Sequence, residues 1–454
     1  MKKKVYWIVL LLMLMGIQAN AGVDGNTVTP PEGTEKWLYA RTDWYGEHIV
    51  FYGDWEPQWN DDISGMIRFK DVYDNDTIIY PTWWDGVRGT VKKVVFEESC
   101  KDIIPIKNTA HMFERFLSLE AIEGMENLNT SAVTNMSGMF KSCHLLKDFD
   151  FNVIDTRSVT DMSEMFQEYG YLPYPLSQSD LADNIVLDLS SWKTNKVRDF
   201  SRMFYSCMAR AIDIGSFNTA HATTMNSMFS GCRNLVSLDV SHFNTSNVTD
   251  MSSMFRDVKA KVDVSHFDTS NVRDMSSMFA DSPMTMIDVS HFSTTQVTDM
   301  RWMFVSCKSL ERVNLFSLPE IVAEPIKAYA MFDGCIKLRH ICVEKDWDVS
   351  SIDAIGPSWI AGQVYDSMFS DCVNLKGGAG TKYENSHIDA SYAHIDGGED
   401  NPGYFSTEEQ IITGISLQAA SRELGYLFDL QGRRLNGKPQ RGMYIRDGRK
   451  YVVK

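Results

Sequence analysis

The chain has 454 residues, enough for more than one domain, and 44% of them are hydrophobic. Sixty acidic side chains against 44 basic ones give a formal net charge of -16, which argues against a nucleic-acid partner, since that needs a basic patch. Such acidity suits an extracellular protein or one that meets a basic partner.

Residues 1–21 read as a secretory signal. Lys2, Lys3 and Lys4 precede an apolar run from Val5 to Ile17, and Ala19-Asn20-Ala21 supplies an A-x-A cleavage site. The run is short for a membrane span. No cysteine follows it, so no lipid anchor is expected there. The mature chain is expected to begin at Gly22 and to work outside the cytoplasm.

Residues 22–90 are rich in tryptophan: Trp37, Trp44, Trp55, Trp59, Trp83 and Trp84. Alternating stretches such as E-H-I-V-F-Y-G-D look like strands. These tryptophans seal the core of a β-rich cap over the first repeat, or they form an exposed aromatic platform for sugar rings.

Residues 91–376 repeat one pattern. Its clearest copy, F-N-T-S-N-V-T-D-M-S-S-M-F from Phe243 to Phe255, returns as F-D-T-S-N-V-R-D-M-S-S-M-F from Phe267 to Phe279. Met-Phe pairs anchor it from Met112-Phe113 to Met368-Phe369, mostly about 25 residues apart, a period that signals a solenoid. Leu235, Leu238 and Val240 have the spacing of a short strand with one buried face. Val248, Met251, Met254 and Phe255 follow at i, i+3, i+6 and i+7, which predicts a short helix capped by Thr249 or Asp250. The fold expected is an α/β solenoid of about ten strand–short helix coils sharing one core. Two insertions, around Leu172 to Pro175 and from Glu344 to Val364 with Trp347 and Trp359, are expected to loop out as binding loops or surface growth.

These coils resemble the BspA-like leucine-rich repeat of bacterial surface proteins, in its N-V-T-x-M-S-x-M-F variety. The opening K-K-V-V-F-E-E-S-C (Lys92 to Cys100) is also similar to that family. The resemblance implies a non-enzymatic surface or secreted protein, adhesins among them. Beyond the solenoid, residues 377–408 are rich in Gly, Ser, Asp and Asn and read as a linker or irregular end cap. Residues 409–454 read as short strands between Gly-bearing turns at Gln431-Gly432 and Asp447-Gly448. Asp429-Leu430-Gln431-Gly432-Arg433, Pro439-x-x-Gly442-x-Tyr444-Ile445 and Lys450 to Lys454 resemble the C-terminal sorting domain of type IX secretion cargo. A small structural β-module is the other reading.

One ladder stands out as a candidate site. Successive coils place Glu123, Asp150, Asp188, Asp213, Asp239, Asp263 and Asp288 between inward-pointing strand residues, so these carboxylates should face outward. About 5 Å apart, solvated like charges repel by roughly 1 kcal/mol per pair. Bound cations, a basic partner or backbone hydrogen bonds must offset that. The row is thus an acidic binding strip, or a set of residues that each pin a turn. His242, His266 and His291 form a second row that suits a metal or a pH response, or a permissive exposed slot, since Val153, Ser191 and Ser216 share it.

Asp161, Asp250, Asp274 and Asp299 read as caps. Six of the eight cysteines fall three residues after an anchor Phe, a slot that Val258 and Ser282 also occupy, which points to buried free thiols. Cross-coil disulfides are the alternative, since Cys207 and Cys232 lie in consecutive coils. No metal site is expected, because no His recurs beside the cysteines. No nucleophile elbow, zinc-protease, Walker or dinucleotide motif is present, so neither an enzyme nor a cofactor is expected. The function expected is binding of an extracellular host or neighbouring-cell protein, with glycan binding through the Trp-rich region as the alternative. Membrane contact is expected only through secretion across, or attachment to, the outer membrane.

Overall fold

The computed structural model describes residues 37–42, 47–54, 66–68, 86–171, 185–319, 324–357, 364–411, 427–428, 434–435, 442–446 and 449–453. Strands β1 (Trp37–Thr42), β2 (His48–Asp54) and β3 (Met66–Arg68) pair antiparallel, with β1 in the centre. Then β2 pairs parallel with β4 (Lys93–Phe96), and β4 with β5 (Ala121–Glu123). The N-terminal sheet thus runs directly into the first coils, and Phe51 stacks on Phe96 at 4.5 Å.

The stack that follows is a solenoid. Every described Met-Phe anchor is buried, with relative exposures of 0–1%. The anchor phenylalanines form one column, with ring centroids 5.5 Å apart between Phe204 and Phe229, 6.0 Å between Phe229 and Phe255, and 5.7 Å between Phe279 and Phe304. Stacking of this kind adds to burial of the rings themselves. All eight cysteines are buried and free. The slot shared by Cys and Ser has a polar reason: Cys232 Sγ donates to the Phe204 carbonyl, and Ser282 Oγ to the Phe255 carbonyl at 2.9 Å.

The second half of each coil is tighter than the expected short helix. No α-helix forms among the described residues from 91 to 376. The amides of Met228, Ser230 and Cys232 close turns onto Met225, Ser227 and Phe229. The alternate amides of Met225, Ser227, Phe229 and Gly231 donate to Asp250, Ser252, Met254 and Arg256 of the next coil. Ser227 and Gly231 take left-handed backbone, at φ 53° and 76°, which lets successive turns reverse. A two-turn helix rich in Ser and Asp is poorly nucleated, and the stack offers its amides better partners.

The strand side is a broken ladder. Parallel pairs join β6 (Val186–Asp188) to β7 (Ala211–Asp213), and β8 (Met286–Asp288) to β9 (Arg312–Asn314). From β9 the ladder continues through β11 (His340–Cys342) to β15 (Phe405–Ser406). Between β7 and β8 two coils pass without strand pairing. The second insertion supplies β12 (Ile352–Asp353), which pairs parallel with β10 (Ile326–Lys327), and it leads through the hairpin of β13 (Ile355–Pro357) and β14 (Val364–Asp366). Trp347 does not loop out: it is 3% exposed, stacks on Phe316 and donates its indole N–H to the Phe316 carbonyl. At the C-terminus β16 (Leu427–Phe428), β17 (Arg434–Leu435), β18 (Gly442–Arg446) and β19 (Arg449–Val453) form an antiparallel sheet.

Candidate functional site

The acidic row begins with alternation. Ile212 and Ile214 are buried on either side of exposed Asp213, and Leu238 and Val240 on either side of exposed Asp239. Glu123, Asp188, Asp213 and Asp288 end strands, and Asp188 lies in register with Asp213. Asp150 differs, because it precedes a 3₁₀ turn (Phe151–Val153) rather than ending a strand. Each aspartate then turns the chain. Its Oδ1 accepts the amide two residues on: Asn152 for Asp150 at 2.9 Å, Ser190 for Asp188 at 3.0 Å, and Gly215 for Asp213 at 3.1 Å. Ser241, Ser265 and Ser290 do the same for Asp239, Asp263 and Asp288. Glutamate is too long for this turn, and Glu123 pairs instead with Lys93 at 2.6 Å.

These hydrogen bonds answer the repulsion problem. The Ser190 amide holds the Asp188 carboxyl below its ordinary range, the Ser241 hydroxyl and amide do so for Asp239, and the Ser265 amide for Asp263. Partial burial opposes this at Asp288, but the Ser290 hydroxyl and the Asn314 side chain outweigh it. Asp188, Asp239, Asp263 and Asp288 are therefore held ionised by their own turns, and the whole row remains exposed.

The histidine row has work inside the fold. Nε2 of His242, His266 and His291 lies 2.9, 2.9 and 3.1 Å from the carbonyls of Ile214, Val240 and Val264 in the preceding coil. A carbonyl only accepts, so Nε2 carries the proton. These three contacts span the three successive junctions between β7 and β8, where strand pairing is absent. Buried threonines add a further seam: Thr245 Oγ1 donates to the Asp268 carbonyl at 2.9 Å and accepts the Asp268 amide at 2.8 Å. The cap residues behave alike, with Asp161 and Asp250 Oδ1 accepting from Ser163 and Ser252. They sit in a column of parallel bridges that runs from Asn108 to Lys327.

Of the aromatic platform, only the Trp37 backbone in β1 is described. The Trp37 side chain and Trp44, Trp55, Trp59, Trp83 and Trp84 lie outside the described residues, as do Trp359 and the proposed signal segment. Sequence reasoning missed the histidine stitches and the threonine seam, whose signal was their fixed place in V-S-H-F and F-N-T-S.

The family described as "Mycoplasma protein of unknown function, DUF285" matches residues 97–183, 176–262, 223–347 and 255–371. Among solved structures the chain is similar to a leucine rich cell surface protein from Faecalibacterium prausnitzii A2-165, at 12% identity and a TM-score of 0.32, covering 78% of this chain and 95% of that one. No curated protein matches the chain.

Proposed function

The chain belongs to the DUF285 repeat family, and from that premise we propose that it is a secreted or surface-displayed binding scaffold of the BspA-like, adhesin type. The carrying observation is the exposed row of turn-held aspartates along one side of the stack. Such a row presents negative charge at the coil spacing, about 4.8 Å, without the cost of assembling it on binding. It suits a basic patch on an extracellular protein of a host or neighbouring cell. The secretory reading of residues 1–21 and the type IX resemblance of residues 409–454 support delivery to the cell surface.

The test is capture of extracellular-matrix and cell-surface proteins by the mature chain, compared with the triple variant D213K/D239K/D263K. Each aspartate is exposed, and matched melting curves check that the stack stays folded without the three turn bonds. Capture should weaken about tenfold or more and lose its salt sensitivity. Undiminished capture by the triple variant reduces the row to turn chemistry.

A further inference from the structure

The coils are not of equal length, and two adjacent short ones leave a notch. Asp239 follows Phe229 by ten residues, but Asp263 follows Phe255 by eight and Asp288 follows Phe279 by nine. The longer coils on either side place Leu235 and Leu310 there, both fully buried. The short coils have no equivalent leucine. Val262, Met284 and Ile287 are only partly covered, and Met286 is 65% exposed. An apolar pocket of about 290 Å³ opens here, lined by Phe255, Phe279, Val262, Met284 and Met286 among others. It shares Ser282 and Pro283 with a polar groove of about 920 Å³ that runs from the coil of Gln167 to that of Ser309. Those six coils make the groove roughly 24 Å long, which matches about seven residues of extended chain.

The notch is basic within an acidic molecule. Arg202, Arg233, Arg256 and Lys308 line the groove, and Lys259 and Lys261 the pocket, against Asp257 and Asp281. Arg233 is paired with Asp257, and Arg256 with Asp281 at 3.1 Å. Lys259 and Lys308 have no ion-pair partner among the described residues. Flexible methionine side chains suit a pocket that adapts to an incoming apolar group.

We propose that this notch binds an extended acidic peptide segment, with one apolar side chain in the methionine pocket and carboxylates along the groove. The apolar pocket favours a peptide over a sulfated glycan, which has anionic groups but no apolar side chain to fill it. The proposal is independent of the acidic row, whose charge is opposite.

The test is fluorescence anisotropy on the full chain with a labelled peptide of Asp and Glu around a single leucine. Saturable binding is expected. It should weaken about tenfold in K259E/K308E and in M286E, and also when the peptide leucine becomes serine. All three replaced side chains are exposed, and matched melting curves check that the variants fold. The variant D213K/D239K/D263K should retain peptide binding, so failure of either proposal leaves the other standing. Equal affinity of K259E/K308E and the parent overturns the proposal. So does preference for a heparin-type oligosaccharide over the peptide, which would assign the notch to an anionic glycan.

Discussion

Gly231 sits at φ 76°, and a Cβ added there would meet the Ser206 Oγ of the preceding coil at 2.8 Å. Its counterparts Asp257, Asp281 and Ser306 hold the same left-handed backbone without glycine, at φ 54°, 59° and 57°. Each such residue costs about 1–2 kcal/mol, sustained because its amide reaches the next coil. A β-branched side chain fits worst. Gly231→Val should lower the unfolding free energy by about 2–3 kcal/mol in urea titrations, and Ser306→Gly should raise it by about 1. An unchanged midpoint in Gly231→Val would contradict the strain assigned to this column. Much at this scale was legible in the sequence. The cysteine slot announced its burial by admitting Val258 and Ser282. The thiol-to-carbonyl bond was not legible, because no spacing rule reports what a buried donor faces.

At the scale of the element, the coil was legible as a stack and misread in detail. Val248, Met251 and Met254 recur every three residues, which a helix of 3.6 per turn satisfies only briefly. A strict three-residue period instead matches turns closed onto the third residue back, with alternate amides free to bond the neighbouring coil. The acidic row was legible because Asp alternates with buried Ile, Leu and Val. Its turn bonds were among the alternatives open from the sequence alone. The histidines were not legible as structure, because their role depends on a gap in strand pairing that only the assembled stack creates. Replacing His242, His266 and His291 together with Ala should cost about 0.5–1.5 kcal/mol per lost hydrogen bond. Hydrogen exchange should quicken first in residues 236–268. Exchange that quickens equally along the whole stack would show that the histidines do not stitch these junctions.

Across the whole molecule, the ends matter most. The amides of Met368 and Phe369 find no following coil and donate to the Ile388 carbonyl, while Asp371 N donates to the Tyr383 hydroxyl. Residues 377–408 thus close the stack rather than trail from it. Asp396, 1% exposed, organises that closure by accepting from the amides of Ala379, Thr381 and Gly398 and from the Thr381 hydroxyl. Burial alone would push its carboxyl up, but the Thr381 hydroxyl and these amides outweigh burial and hold it below the ordinary range. A depressed carboxyl stabilises the fold fully above its unfolded value, about 3.9, and the contribution fades as pH falls toward the folded value. Asp396→Asn should therefore cost about 1–3 kcal/mol at neutral pH. The difference from the parent should narrow in melts below about pH 4. A gap independent of pH would assign the loss to packing instead. The forward-reaching amides carry one more consequence. On the turn side, successive junctions repeat one pattern of forward-reaching amides, so a whole unit can be duplicated or excised in the middle without leaving those donors bare. The two closures stay as they are, and the array is free to lengthen or shorten by entire turns over generations. Losing the final closure strands a row of buried N–H groups at once.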